Sequence, residues 1–247
     1  MAENPREGRD RRRPLGLSRQ PGERWGQFAG RVANAFGLVL LLVLATYVLG
    51  SLTAFHGWTA VLTTLVASLA GVVGLAGSGV RPTVVRGAGM LALAAVVLAA
   101  LAELLDDTHL LGASSFVIVS LLLLAAGAIL RAVLMETEVG FRTILGAISV
   151  YTILGLLFSF LYAALDRVES APFFGPGVSV KGGDFLFFSF TTLTTTGYGD
   201  LVPAGQPGKM ISGLEMLMGQ IFLVTLVAGL VSLWRPGLLA RQRKSSS

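Results

Sequence analysis

Hydrophobic positions lie in long unbroken runs separated by short polar connections along most of the chain. Each of six runs is about 20 residues long or longer, the length that an α-helix needs to cross a hydrocarbon core of about 30 Å. The chain is therefore predicted to be an all-α membrane protein with six transmembrane helices. The predicted spans cover residues 34–55, 58–79, 82–102, 110–130, 143–165 and 210–234.

A shorter apolar and aromatic run follows the fifth span, at residues 184–196. It is too short to cross a bilayer and is typical of a re-entrant segment, which is tolerated at membrane depth where protein or water surrounds it. The run predicts a pore helix over 184–194, for which Asp184 suits the N-cap. The C-terminal end of such a helix carries a partial negative charge, which favours a cation beyond it.

Composition and charge placement agree with a membrane protein. The chain is 53% hydrophobic and 13% charged, about half the charged fraction of a soluble domain, so a soluble enzyme is not expected. All of the 19 Lys and Arg residues except Arg167, Lys181 and Lys209 fall on one side of the six-span topology. The positive-inside rule makes that side, with both termini, cytoplasmic. The net charge of +5 thus reflects topology and not nucleic-acid binding, and the composition favours a bacterial plasma membrane.

The pattern divides the chain into five parts. Residues 1–24 are basic and predicted to lack fixed structure, and residues 25–33 form either an interfacial helix or an extension of the first span. Residues 34–134 form a four-helix domain, residues 135–234 a pore domain, and residues 235–247 a basic tail. The tail either contacts anionic lipid headgroups or acts only as a topology signal.

The pore domain contains the string Thr-Thr-Thr-Gly-Tyr-Gly-Asp at residues 194–200. A cation that has lost its water needs oxygen ligands, and backbone carbonyls can be stacked without binding the ion too tightly. Turning successive carbonyls to one side requires unusual backbone angles, which explains glycine at alternate positions. Tyr198 can pack sideways among aromatic neighbours and hold the strand in place.

This string resembles the selectivity filter of tetrameric potassium channels, and the aromatic helix before it resembles their pore helix. The resemblance extends over residues 143–234 and includes Pro203, Gly208 and Gly219. It implies that four copies of the chain surround one pore, with potassium as the permeant ion and no cofactor. It also implies a role for Gly219 as a gating hinge and for Asp200 at the outer mouth. The implied ion-binding residues are Thr195, with its hydroxyl, and Thr196, Gly197, Tyr198 and Gly199.

The sequence departs from the family at the filter and its support. Thr196 occupies a position that is often a β-branched aliphatic residue, and Thr191 occupies one where some relatives have glutamate. Glu215 is the one carboxylate within a predicted span, and such residues normally face protein or water. We expect Glu215 to reach the pore helix near Thr191 or Thr192 and to support the filter. The alternative is a carboxyl group satisfied by a neighbouring helix without influence on conduction.

The first four spans lack the arginine series of a voltage sensor. The fourth span contains no basic residue, Arg131 marks its end, and Arg86 lies near the start of the third. Steep voltage-dependent opening is therefore not expected. Gly71, Gly74 and Gly77 provide small residues for close packing of the second span.

The sequence contains no residue set for hydrolysis or group transfer, and we predict a passive, potassium-selective channel that is not an enzyme. Three alternatives remain. The first is a potassium transporter subunit, although such a subunit usually has four degenerate loops in one chain. The second is a non-conducting accessory or sensing subunit that keeps the pore fold. The third is a non-selective cation pore, which the intact Tyr198 disfavours.

Overall fold

Helices make up most of the computed structural model, which describes residues 21–52, 58–136, 140–180 and 183–233. Predictions for residues 1–20 and for the tail at 235–247 lie outside these residues. Helix α1 already begins within the segment 1–24 and runs without a break through residues 25–33. The helices of the described residues are α1 (Pro21–Leu52), α2 (Trp58–Gly77), α3 (Pro82–Leu105), α4 (Thr108–Leu134), α5 (Phe141–Val168), α6 (Asp184–Leu193) and α7 (Gln206–Leu233).

Five of the described helices are long and apolar enough to cross a membrane. Their candidate spans are Trp58–Gly77, Pro82–Leu105, Thr108–Leu134, Thr143–Val168 and Gln206–Leu226. In α1 the apolar helix of the described residues, Ala35–Ser51, is shorter, because the predicted first span ends at residues outside the described part. The chain is thus a multi-pass membrane protein, and the sixth crossing stays a prediction.

The turn between α3 and α4 shows how the helix ends are fixed. Asp106 has a left-handed φ of 52° and caps the end of α3, and the Asp107 carboxylate accepts hydrogen bonds from the backbone N–H groups of His109 (2.8 Å) and Leu110 (3.4 Å). Such a side chain satisfies N–H groups that have no partner within the helix. The two helices therefore extend beyond the apolar runs that predicted them.

Helices α1 to α4 pack together through small residues, as predicted. Gly71 and Gly74 of α2 lie against Leu121 and Ile129 of α4, so closely that an added Cβ would approach their side chains to 2.9 and 3.0 Å. This bundle contacts α5 through α1 and α4, and α5 contacts α6 and α7. Helix α1 also reaches α6, where the rings of Tyr47 and Phe190 meet edge to face at 5.4 Å.

Candidate functional site

Helix α6 is the short element that was predicted as the pore helix. It consists of ten residues, with Phe185, Leu186, Phe188 and Ser189 buried against its neighbours. The predicted N-cap is wrong by one position: the cap is Gly183, which has no side chain to accept a hydrogen bond, and Asp184 is the first helical residue. At the other end, the N–H of Thr194 bonds to the carbonyl of Phe190 at 3.1 Å.

The strand that follows α6 has an alternating backbone. Its φ angle is positive at Thr195 (57°), Gly197 (50°) and Gly199 (82°) and not at Thr196 or Tyr198. In an ordinary extended strand successive residues face opposite sides, so inverting every second residue turns successive carbonyls toward one side. Left-handed φ is easy for glycine but strained for a β-branched residue such as threonine. The glycines therefore stand where the conformation requires them.

The strand is held against the end of α6 by its own backbone. The carbonyl of Thr191 accepts hydrogen bonds from the N–H groups of Thr196 (2.8 Å) and Gly197 (3.2 Å), and the carbonyl of Thr192 accepts one from Thr195 (2.9 Å). Thr191 and Thr192 thus support the strand through main-chain atoms. Behind the strand lies a cavity of about 210 Å³ that these two residues help to line.

Side chains around the strand add to its support. The ring of Tyr198 stacks on Phe187 of α6, with centroids 5.7 Å apart and planes inclined by 15°. The hydroxyl groups of Thr194 and Thr196 are 2.8 Å apart. Asp200 accepts a hydrogen bond from the N–H of Leu201 at 3.0 Å. Residues 194–200 are all exposed in the single chain, so this strand lies on an open face of the protein.

Glu215 of α7 is fully buried, and both of its carboxyl oxygens meet hydroxyl groups. The Tyr162 hydroxyl of α5 donates to Oε2 at 2.5 Å. The Ser189 hydroxyl of α6 lies 2.5 Å from Oε1 and 2.7 Å from the carbonyl oxygen of Gly155. One carboxyl group therefore joins α5, α6 and α7.

These contacts correct the expected partner of Glu215. It reaches α6, but one helical turn before Thr192, at Ser189. The reason is the register of the two helices, since Gly219 lies beside Leu193 and the preceding turn of α7 therefore lies beside the preceding turn of α6. Sequence reasoning also missed Tyr162. Its hydroxyl within an apolar span was the available signal, because a buried carboxyl group needs such partners.

Gly219 lies where the backbone of α7 comes close to the end of α6. An added Cβ would lie 2.0 Å from the carbonyl oxygen of Leu193. The same carbonyl accepts a hydrogen bond from the Tyr151 hydroxyl of α5 at 3.3 Å. The end of α6 is therefore a junction of three helices, and glycine is required there by space. The predicted hinge role of Gly219 stays a prediction.

The comparisons with known proteins agree with this part of the structure. Residues 149–235 match the model of a family described as ion channel, and the match runs from α5 through the strand to α7. The comparison supports an ion channel. Searches of the curated proteins and of the solved structures gave no significant match. The matched region is the one that contains the alternating strand and the buried carboxyl group.

Proposed function

We propose that the protein is a potassium-selective channel whose pore is formed by four copies of the chain. The observation that carries the proposal is the alternating backbone of Thr195, Gly197 and Gly199. Carbonyl oxygens turned to one side, repeated by four chains around an axis, replace the hydration shell of a potassium ion. Thr196 and Tyr198 supply the intervening carbonyls, and potassium passes down its gradient.

The surface of the single chain favours assembly. In an 18-residue stretch of the α7 span 17% of the residues are buried, a share close to the 22% of α3 and well below the 67% of α5. The strand at residues 194–200 is exposed on the same pore region, although irregular backbone at membrane depth needs protein or water around it. A closed symmetric assembly around the strand would cover both the exposed face of α7 and the exposed strand.

We further propose six crossings with cytoplasmic termini, and opening that is not steeply voltage-dependent. In α4 the one basic residue of the last turn is Arg131, so the helix carries no charge series that a membrane field could move. Conductance measured across a wide voltage range is expected to change gradually. A steep sigmoidal rise would contradict this part of the proposal.

Ion selectivity is tested with purified protein in planar bilayers. With potassium on one side and sodium on the other, the reversal potential is expected to lie close to the potassium equilibrium value. A reversal potential near zero would indicate a non-selective pore, and slow, saturating flux would indicate a transporter subunit.

A matched pair of variants connects the selectivity to the strand. Gly199→Ala places a side chain at a left-handed position and is expected to abolish potassium current. Gly127→Ala, at an open position of α4, is expected to leave it unchanged. Equal currents from both variants would refute the assignment of the strand as the filter.

A further inference from the structure

We infer that Glu215 is a neutral carboxylic acid that donates its proton to Ser189, and that its loss of this proton breaks the hydrogen bond by which Ser189 holds the pore helix to α5. This inference rests on the proposed channel function for its effect on current but not for the protonation state itself.

The number of protons available for the contacts of Glu215 decides whether its carboxyl group is neutral or ionised. Three short oxygen–oxygen contacts form a chain: Tyr162 to Glu215 (2.5 Å), Glu215 to Ser189 (2.5 Å), and Ser189 to the carbonyl of Gly155 (2.7 Å). Tyrosine and serine each supply one proton. An ionised Glu215 supplies none, so one of the three contacts would bring two oxygen atoms together without a hydrogen between them.

A neutral Glu215 supplies the missing proton and makes all three contacts hydrogen bonds. The Tyr162 hydroxyl donates to Oε2, the acid donates from Oε1 to the Ser189 hydroxyl, and Ser189 donates to the carbonyl of Gly155. The three hydrogen bonds then run in one direction. The Tyr162 hydroxyl donates once, and the acid and the Ser189 hydroxyl each accept one hydrogen bond and donate one. The described geometry is complete only in this form.

The surroundings contain no described cation that would favour the ionised form instead. The titratable groups that face Glu215 from α5 are Tyr162, which is in contact with it, and Tyr151, whose hydroxyl donates to the Leu193 carbonyl. Helix α6 faces the carboxyl with Ser189. Of the charged residues on these helices, Asp166 accepts from the N–H of Phe173 and Arg167 donates to Ser115 of α4. An unpaired charge buried at membrane depth is costly.

The charged residues at the starts of α6 and α7 also lie more than one helical turn away from Ser189 and Glu215. Asp184 is the first residue of α6, more than one turn before Ser189. Lys209 lies in the first turn of α7 and is exposed. Deprotonation would therefore leave a buried charge on Glu215 with no opposing charge among the described residues.

Loss of the proton has a defined structural consequence. Ser189 can then donate only one of the two hydrogen bonds, and it donates to the carboxylate, because a hydrogen bond to a charged acceptor is the stronger one. The bond between α6 and α5 at Gly155 is therefore lost. The start of the strand is hydrogen-bonded to the same short helix, through the carbonyls of Thr191 and Thr192. Alkaline conditions are therefore expected to reduce potassium current reversibly.

Infrared spectroscopy tests the protonation state without requiring a current. The difference spectrum of wild type minus Glu215→Gln at neutral pH isolates one of the 14 acidic residues. A carbonyl stretch of a protonated carboxylic acid is expected to be lost in the variant. Loss of carboxylate bands would overturn the inference, whether or not the protein conducts.

Potassium flux into vesicles tests the consequence. Glutamine reproduces the neutral acid, because its amide oxygen accepts from Tyr162 and its NH₂ group donates to Ser189. Wild-type flux is expected to fall about tenfold from neutral to alkaline pH, the effect of losing one buried hydrogen bond, while the Glu215→Gln flux stays within about twofold over the same range. An equal fall in both would overturn the proton-linked loss of this hydrogen bond.

A second variant separates the proton effect from general damage. Ser189→Ala removes the acceptor of the acid proton and is expected to lower flux at neutral pH, where Glu215→Gln retains it. If the wild type and the variants are folded but none of them passes potassium, the proposed function fails. The infrared result then still decides the protonation state of Glu215.

Discussion

Replacing Gly219 by alanine distinguishes two roles of this glycine, because the two roles predict stability changes of opposite sign. Alanine is better than glycine in a helix interior by about 1 kcal/mol. If Gly219 only allows α7 to bend, Gly219→Ala stabilises the protein by about that amount. If the glycine is required by space, the same change destabilises it.

The structure gives the size of the second effect. The added Cβ would lie 2.0 Å from the Leu193 carbonyl oxygen, whereas real Cβ atoms essentially never come closer than 3.0 Å. Helix α7 must therefore move away from the end of α6 by about 1 Å. Overpacking costs about 1–3 kcal/mol, and the upper end applies because the opposing atom belongs to the backbone. After the helical gain of alanine, the net loss is about 2 kcal/mol.

Thermal unfolding of the purified protein measures this loss. For a chain of this size, about 2 kcal/mol lowers Tm by roughly 4–8 °C. Gly127→Ala is the control, because it places the same methyl group in a helix where nothing lies within 4 Å. A Gly219→Ala protein that melts at or above the wild-type temperature would refute the packing argument and favour a flexible role.

Three further substitutions test the strand and the helix that supports it. Phe187→Leu removes the ring on which Tyr198 stacks, at a cost of about 0.5–1.5 kcal/mol, and is expected to lower the potassium-to-sodium permeability ratio from bi-ionic reversal potentials; an unchanged ratio would contradict a supporting role. Gly197→Ala places alanine at φ 50°, which costs about 1–2 kcal/mol, and is expected to abolish potassium flux into vesicles; wild-type flux would contradict it. In Gly155→Ala the added Cβ would lie 2.7 Å from an aromatic ring. Because a side chain yields more easily than a backbone, the Tm of Gly155→Ala is expected to fall less than that of Gly219→Ala. A larger fall would contradict this expectation.

The membrane helices could be predicted from sequence because lipid requires long apolar runs and internal backbone hydrogen bonding. Their ends could not, since these depend on caps outside the apolar runs. The prediction ended the third span at residue 102, whereas α3 continues to Leu105 and the turn after it is fixed by Asp106 and Asp107. The same effect moves the start of α4 to Thr108.

The strand at 195–199 was predictable for a different reason. Its conformation is local, so the glycines that permit it are visible in the sequence. The partner of Glu215 is not local: Tyr162 lies 53 positions away and Ser189 lies 26 positions away. Hydrophobic runs do not encode the rotation and register of one helix against another, and these decide which hydroxyl groups meet the carboxyl group.

Gly219 and Glu215 are best understood together. They lie one turn apart on the same side of α7, and the turn with glycine brings the backbone of α7 against the end of α6. The side chain of Glu215 is completely buried beside this approach, so its carboxyl group has to satisfy both oxygens with protein groups. A looser contact would admit water, and hydroxyl partners would then be unnecessary. The spacing of these two residues therefore connects the close approach of α7 and α6 with the burial of one carboxyl group between two hydroxyl groups.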